Sequence, residues 1–217
     1  MLDNDDGPSM PAPERLEPKP KRGRPKCFNE QDVLHKAMLL FWEYGYEATS
    51  ISDLTQALNL TAPSLYRAFG DKSQLFHRCL EYYLKHEACA MDRIFAEAKT
   101  AQVALELYLY ESVKRLLQVD KPAGCMLLVA TMNCGLENLA LQQEILEMRQ
   151  SRKLKIFERL VQGQKDGDLA QSVNIQDLTD YYTTVIQGLT LQARDGVSKH
   201  QLNQVVHLAM RTWTLFN

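Results

Sequence analysis

The sequence has no long hydrophobic run. Its two longest apolar stretches span residues 37–42 and 125–130, whereas a helix that crosses a bilayer needs about 20 apolar residues. The first ten residues are acidic and lack an apolar segment, so we expect no secretory signal there. We therefore predict a cytoplasmic protein that does not enter a membrane and that associates with the nucleoid only through DNA.

Cysteine is sparse, and the usual catalytic motifs are absent. The five cysteines, at positions 27, 79, 89, 125 and 134, include no CxxC pair, which argues against a disulfide framework or a four-cysteine zinc site. The sequence contains no HExxH, GxGxxG, P-loop or GxSxG motif, and no inward Glu-x-x-His pair of a di-metal bundle. We expect neither catalysis nor a metal ion or other cofactor.

Proline is rare after residue 25, because six of the eight prolines lie in residues 8–25. This composition predicts a flexible tail over residues 1–26. Within the tail, residues 1–17 contain five acidic residues and one basic residue, whereas residues 18–26 contain five basic residues and no acidic one. A basic arm beside a folded domain is typical of nucleic-acid binding, although a solvated linker has a similar composition.

After the tail, apolar residues recur with the spacing of α-helices, and the sequence predicts an all-α fold. A first helix is expected to begin at Asn29 and to end at Gly45. Ser50, Thr61 and Asp71 are suited to cap the next three helices. Two short helices joined by a three-residue turn, behind a longer helix, form a helix-turn-helix pattern.

The second helix of this pair, residues 62–69, carries hydroxyl, aromatic and guanidinium groups at its non-core positions. Such groups can reach base edges and phosphates in the major groove of DNA. Lys72 follows at the start of the next helix, where a cation beside free backbone N–H groups suits a phosphate. A solvated face of a small helical domain is the alternative explanation of the same residues.

Two segments resemble the DNA-binding domain of the TetR/AcrR family of bacterial one-component regulators. These are GYEATSISDL at residues 45–54 and PSLYRAFGDKSQLF at residues 63–76. The resemblance implies that Thr49 and Lys72 contact phosphates, and Ser50 is included in the predicted contacts. It also implies that a further set of residues lies at the major groove, namely Thr61, Ala62, Ser64, Tyr66 and Arg67.

Residues 21–26, KRGRPK, resemble the Arg-Gly-Arg-Pro core of AT-hook peptides. Arginine side chains fit the narrow and strongly negative minor groove of A·T-rich DNA. We therefore predict that Arg22, Arg24 and Lys26 enter the minor groove beside the site that the helix-turn-helix binds.

The rest of the chain is predicted to be a helical bundle. We expect helices at residues 71–98, 101–118, 125–133, 137–162, 174–193 and 199–215, with a turn at 163–168. This gives a helix-turn-helix domain at 27–86 and an effector-binding and dimerisation domain at 87–217. The resemblance implies a homodimer built from two of three helices, at about 140–162, 175–193 and 199–215.

The middle of the chain is rich in cysteine and methionine, which are soft ligands but also adaptable core residues. We expect an apolar organic effector in a pocket lined by helices, with tyrosines as polar contacts. The candidate pocket residues are Tyr82, His86, Cys89, Tyr108, Cys125 and Met132. The predicted function is a ligand-responsive repressor of operator DNA. The alternatives are an architectural DNA-binding protein without an effector, and a thiol or metal sensor.

Overall fold

The computed structural model describes residues 28–130 and 134–215, and every regular element in these ranges is helical. The all-α prediction is therefore confirmed for the described part of the chain. Arg22, Arg24, Lys26 and Met132 lie outside the described residues, so their predicted contacts stay predictions. In the described ranges, no helix combines the length and the apolarity that a membrane span requires.

The first four helices form the predicted helix-turn-helix arrangement. They are α1 (Glu30–Ala48), α2 (Ile51–Leu58), α3 (Ala62–Phe69) and α4 (Lys72–His86). Capping boxes begin α2 at Ser50 and α4 at Asp71, as the sequence predicts. Thr61 is the N-cap residue of α3 as predicted, but its hydroxyl donates to Ser64 Oγ at 3.0 Å and accepts no bond from the helix backbone.

A kink at Gly45 ends the regular part of α1 where the sequence predicts it. The φ of Gly45 is +83°, a conformation that side-chain-bearing residues avoid. A Cβ at this position would also lie 3.3 Å from the carbonyl oxygen of Ala130. The same carbonyl accepts a hydrogen bond of 2.8 Å from the backbone N–H of Tyr46. The kink therefore attaches the end of α1 to the second half of the chain.

The predicted continuous helix over residues 71–98 is wrong, because α4 ends at His86 and α5 (Met91–Glu97) is a separate helix. The backbone N–H groups of Glu87 and Ala88 both donate to the carbonyl of Tyr83, which closes the last turn. The buried carboxylate of Glu87 forms an ion pair with Lys121. This contact holds residue 87 inside the protein and favours a break over a straight continuation.

The remaining helices are α6 (Ala101–Leu116), α7 (Met126–Val129), α8 (Leu139–Asp166), α9 (Ile175–Arg194) and α10 (Lys199–Arg211). Short 3-10 helices precede α8 at Leu136–Asn138 and follow α10 at Thr212–Leu215. The turn predicted at 163–168 begins too early, because α8 continues to Asp166. Gly163 is helical and buried. Only glycine fits at this position, because a Cβ there would lie 2.6 Å from the side chain of Ala101.

Two hydrophobic cores organise the described residues. The first core joins α1–α4 to α7 and to the beginning of α8. The second core joins α5, α6, α9 and α10 to the later part of α8. Cys125 packs against both cores. The helix-turn-helix is therefore not a separate core cut at residue 86, and the predicted boundaries of 27–86 and 87–217 stay a prediction.

Candidate DNA interface and ligand cavity

Helix α3 has one buried face and one exposed face. Leu65 and Phe69 are buried in the first core, which fixes the orientation of the helix. Tyr66 and Arg67 point away from that core, and the Tyr66 side chain is 46% exposed. The predicted groove residues Thr61, Ala62, Ser64, Tyr66 and Arg67 therefore share a short helix and its N-terminal end, with large side chains open to a partner.

The N-terminus of α4 places a cation beside that helix. The Nζ atom of Lys72 lies 4.4 Å from the centre of the Tyr46 ring and donates to the carbonyl of Glu47 at 3.4 Å. Partial burial lowers the pKa of Lys72, while the nearby Glu47 carboxylate favours the charged form. An ammonium has three donors, so donors remain for a phosphate after the bond to Glu47.

The two residues between α1 and α2 differ in what they offer DNA. Thr49 is only 1% exposed, and its hydroxyl donates to the carbonyl of Gly45 at 2.7 Å. The Thr49 hydroxyl is therefore not free to donate to a phosphate in this conformation, and the predicted phosphate contact of Thr49 stays a prediction. Ser50 is exposed, but its hydroxyl bonds Asp53 within the capping box of α2. The side chains of both residues therefore form hydrogen bonds within the protein.

A cavity of about 100 Å³ lies where α4, α6, α7, α8 and α9 meet. Its wall is mostly apolar, with Leu116, Leu127, Ile156 and Ile186 among the lining residues. Of the candidate pocket residues, Cys89, Tyr108 and Cys125 line this cavity, and their contact with an effector stays a prediction. Since an engineered apolar cavity of ~150 Å³ holds benzene, this cavity suits a ligand of comparable or smaller size.

Two other predicted pocket residues lie elsewhere, so their assignment to the pocket is wrong. The rings of Tyr82 and His86 contact each other with centres 4.4 Å apart, and Tyr82 also contacts His35 of α1. Neither residue lines the cavity. The break after His86 also separates His86 from Cys89, because the predicted single helix over residues 71–98 does not form.

Sequence reasoning missed the polar side of the cavity. Arg149, Arg152 and Lys153 of α8 line it together, with Arg115 of α6 and Thr183 of α9. The i, i+3, i+4 spacing of the three cations on α8 is visible in the sequence. On an amphipathic helix, however, such a cluster is typical of a solvated face, so the pattern alone does not predict a cavity wall.

Burial holds Cys89, Tyr83 and Tyr108 of the cavity wall in their neutral forms. Burial raises the pKa of Cys89 to about 11, and burial also raises the pKa of Tyr108. The Tyr83 hydroxyl donates to Cys125 Sγ at 3.4 Å, and burial raises the pKa of Tyr83 well above its ordinary value. A reactive or metal-binding cysteine needs a thiolate at neutral pH, which disfavours a thiol sensor at Cys89. In the ranges that the structure covers, no three His, Cys, Asp or Glu side chains gather as metal ligands do.

Two contacts join the region of the cavity to the end of α1. Arg194, the last residue of α9, donates to the carbonyls of Glu43 at 2.5 Å and Ala123 at 3.4 Å. The segment after α7 accepts the bond from Tyr46 through Ala130. Both α9 and α7 also line the cavity. The helices that line the cavity therefore also contact the end of α1, which belongs to the DNA-binding part.

Comparison with known proteins defines the class of protein. The sequence model described as "Bacterial regulatory proteins, tetR family" matches residues 33–79, which contain most of α1, all of α2 and α3, and half of α4. The chain belongs to the TetR family. It is a DNA-binding transcriptional regulator and not an enzyme, because its relatives are regulators of this family.

Similar proteins extend the likeness over almost the whole chain. The HTH-type transcriptional repressor ComR of Escherichia coli K12 is 35% identical over 202 residues, covering 90% of this chain and 93% of that protein. The repressor BdcR of the same organism is 31% identical over 182 residues, covering 83% and 86%. A cysteine variant of the TetR family regulator CifR, complexed with 26-bp double-strand operator DNA, shares 34% identity with a TM-score of 0.85. That match covers 88% of this chain and 100% of the CifR chain.

Proposed function

We propose that the protein is a repressor that binds a palindromic operator as a homodimer and leaves it when a small molecule occupies the cavity. The observation that carries this proposal is the exposed face of α3 beside Lys72, on a chain of the TetR family. Its relatives ComR and BdcR are described as repressors, and CifR as complexed with operator DNA. The protein would act in the cytoplasm, at DNA of the nucleoid.

In the bound state, α3 would lie in the major groove. Tyr66 and Arg67 would face bases or phosphates, with Thr61, Ala62 and Ser64 at the N-terminal end of the helix. Lys72 would neutralise a phosphate beside the positive end of α4. Ser50 would contribute through its position next to α2, while its hydroxyl stays bonded to Asp53.

A homodimer follows from the geometry of duplex DNA. Two helix-turn-helix units read half-sites one helical turn apart, a distance of ~34–36 Å, when the operator is a palindrome. The exposed apolar residues of α9 and α10, among them Tyr181, Leu191, Val205 and Leu208, support an interface on these helices. Exposed apolar residues on α8, such as Leu154, support an alternative dimer interface on that helix.

Release would work through the contacts that join the cavity to α1. A ligand shifts a two-state equilibrium only by its difference in affinity for the two states. We propose that occupancy moves α7 and α9, and that Ala130 and Arg194 pass this movement to the end of α1. Helix α4 would move with them, because its residue Tyr83 also lines the cavity.

The basic arm would add minor-groove contacts through Arg22, Arg24 and Lys26. The double variant Arg22→Ala with Arg24→Ala should weaken binding to A·T-flanked operators and reduce the slope of log affinity against log salt by about 2, close to one unit for each lost phosphate contact. Fluorescence anisotropy over a salt series measures both. A double variant of Lys99 and Lys165, which are exposed cations of the second half, is the matched control. An unchanged affinity and slope in the arm variant would remove the arm from the proposal.

The experiment that tests the function is selection of bound fragments from sheared genomic DNA by the purified full-length protein, at a stated salt concentration. We expect one enriched palindrome, which would establish dimeric and sequence-specific binding. Diffuse enrichment of A·T-rich fragments would instead favour the architectural alternative, because the arm alone would then account for binding.

A further inference from the structure

We propose that the cavity binds a small monocarboxylate, and that the guanidinium of Arg152 holds the carboxylate. This inference rests on the proposed function of the cavity as the effector site, and it adds the chemical class of the effector. It also replaces the expected apolar organic effector with a charged one. Five observations carry it: the charge of the wall, the partners of its cations, the surroundings of Arg152, the unpartnered hydroxyl of Thr183, and the size of the cavity.

The wall of the cavity carries positive charge only. Its lining includes Arg115, Arg149, Arg152 and Lys153, and no aspartate or glutamate. Arg149, Arg152, Lys153 and Ile156 follow at the spacing of one helical face of α8, so one side of the cavity is basic along its length. Such a wall repels cations and favours an anion.

Two of these four cations already have carboxylate partners. Arg115 bonds Glu111 on its own helix, with Nε 2.9 Å from Oε1, and Lys153 pairs with Asp180 of α9. Arg149 and Arg152 form no ion pair among the residues that the structure describes. The positive charge available to a ligand is therefore that of Arg149 and Arg152.

Arg152 is the better of the two, because it sits among buried neutral groups. Its Nη2 atom donates to the hydroxyl of Tyr108 at 3.4 Å, which is a long bond to an uncharged oxygen. Burial opposes the charge of Arg152, whereas the attraction of Tyr108, Cys125 and Cys89, which acts only when these groups are ionised, raises the pKa of the guanidinium. Since Tyr108 and Cys89 stay neutral, the charge of Arg152 is not compensated within the cavity. A partly buried charge without a counter-charge is unfavourable, and a bound anion would remove that cost.

A second polar group faces the same cavity from the opposite helix. The hydroxyl of Thr183 on α9 is buried and has no hydrogen-bond partner, and Thr183 lines the cavity. Buried hydroxyls without a partner are uncommon. A ligand oxygen that accepts from both Arg152 and Thr183 would give both donors a partner. The ligand would thereby bridge α8 and α9 and would be able to change the position of α9.

The rest of the cavity selects the type of anion. A guanidinium binds the two oxygens of a carboxylate with two parallel N–H groups. The apolar lining suits a hydrocarbon group rather than a second charge, and a cavity of about 100 Å³ admits only a short one. These features favour a monocarboxylate about the size of butyrate over inorganic phosphate, which carries no apolar part.

The test compares ligands of one shape with and without charge. Isothermal titration calorimetry and thermal melting of the purified full-length protein would use butyrate and butyramide, with propionate, benzoate and inorganic phosphate as further probes. We expect butyrate to bind and to raise the melting temperature, and butyramide to bind at least about tenfold more weakly, as loss of a charge-assisted hydrogen bond implies.

Three variants locate the charge. Arg152→Met keeps a long side chain and should weaken butyrate binding by about tenfold or more. It should also raise the melting temperature of the free protein, because an uncompensated buried charge is removed. Arg152→Lys keeps the charge but not the paired N–H groups, so its affinity for butyrate should lie between those of the wild type and Arg152→Met. Arg93→Met, at an exposed arginine of α5 outside the cavity, should bind butyrate as the wild type does.

The inference is overturned if butyramide binds as well as butyrate, if Arg152→Met and wild type bind equally, or if none of the three carboxylates binds. Binding of phosphate in place of the carboxylates would also overturn it. Operator binding by the wild type is measured separately. If the protein binds its operator but no carboxylate, only this inference fails; if it binds no specific DNA, the proposed function fails, whatever the calorimetry shows.

Discussion

Leu65 and Tyr66 are neighbours on α3 with opposite surroundings. Leu65 is buried in the first core and holds the helix in place, whereas half of the Tyr66 side chain is open to solvent. Because its ring is open to solvent, Tyr66 contributes little to the core and is free to contact DNA. On this short helix, Leu65 therefore packs in the core, and Tyr66 is available for contact with DNA.

Tyr66→Ala should therefore weaken operator binding by about tenfold or more while changing the free energy of unfolding by less than ~1 kcal/mol, as for other exposed side chains. Anisotropy with labelled operator and urea denaturation measure the two quantities. Tyr44→Ala removes another tyrosine, which is 63% exposed on α1, and is the control for a general effect of losing a ring. A large fall in stability of Tyr66→Ala would place the ring in the core instead.

Cys89 provides a prediction of pH dependence. Only the thiolate reacts with an alkylating reagent, and burial raises the pKa of Cys89 to about 11. In a protein whose other cysteines are serine, the rate of alkylation by iodoacetamide should rise about tenfold per pH unit from pH 7 to 10. An ordinary cysteine levels off near its pKa of about 8.5. Mass spectrometry measures the rate, with glutathione as the reference thiol. A rate that is already constant at pH 7–8 would revive the thiol-sensor alternative.

Among the helices, α8, α9 and α10 each leave apolar side chains exposed. Helices α9 and α10 pack on the second core through one face and expose apolar side chains on another. On α9 the exposed residues Tyr181, Gly188 and Leu191 follow at helical spacing. Helix α8 also exposes leucines, so the structure of one chain leaves two candidate interfaces.

Leu208→Glu distinguishes these interfaces. Leu208 of α10 is 58% exposed, so a charge there should leave the subunit folded but convert a dimer into a monomer in sedimentation equilibrium. Operator affinity should fall at least a hundredfold, because one subunit holds only one half-site. Leu107→Glu, at a leucine of α6 that is 50% exposed, is the matched control. If Leu154→Glu dissociates the dimer and Leu208→Glu does not, the interface lies on α8.

At the scale of the whole molecule, the two cores are joined at the end of α1. Gly45 allows the chain to turn there, Tyr46 binds the carbonyl of Ala130, and Arg194 binds the carbonyl of Glu43. The side chain of Glu47 adds bonds to the N–H of Gly135 at 2.9 Å and to Asn138. The DNA-binding part is thus held by residues that lie far from it in the sequence.

Arg194→Met should loosen this junction without unfolding either core. We expect faster amide exchange at residues 43–47, by about tenfold for the loss of hydrogen bonds from a charged donor, with unchanged exchange in the middle of α9. Hydrogen-exchange mass spectrometry measures both regions. Arg211→Met, at an exposed arginine at the end of α10, is the control. Equal exchange at residues 43–47 in the wild type and Arg194→Met would exclude Arg194 from the path between cavity and DNA-binding helices.

The local features could be predicted from residue spacing alone: the all-α class, the capping boxes at Ser50 and Asp71, the kink at Gly45 and the helix-turn-helix with Tyr66 on its outer face. Each depends on residues within about one helical turn of each other, so spacing is sufficient to predict it. The break after His86, the burial of Thr49 and the position of Arg152 in a cavity wall became apparent only in the folded chain. The break and the cavity wall depend on Lys121 and Tyr108, which are distant in the sequence and which folding brings near. Thr49 binds Gly45 four residues away, but the same residue type is equally compatible with an exposed loop, so its burial depends on packing that spacing does not show.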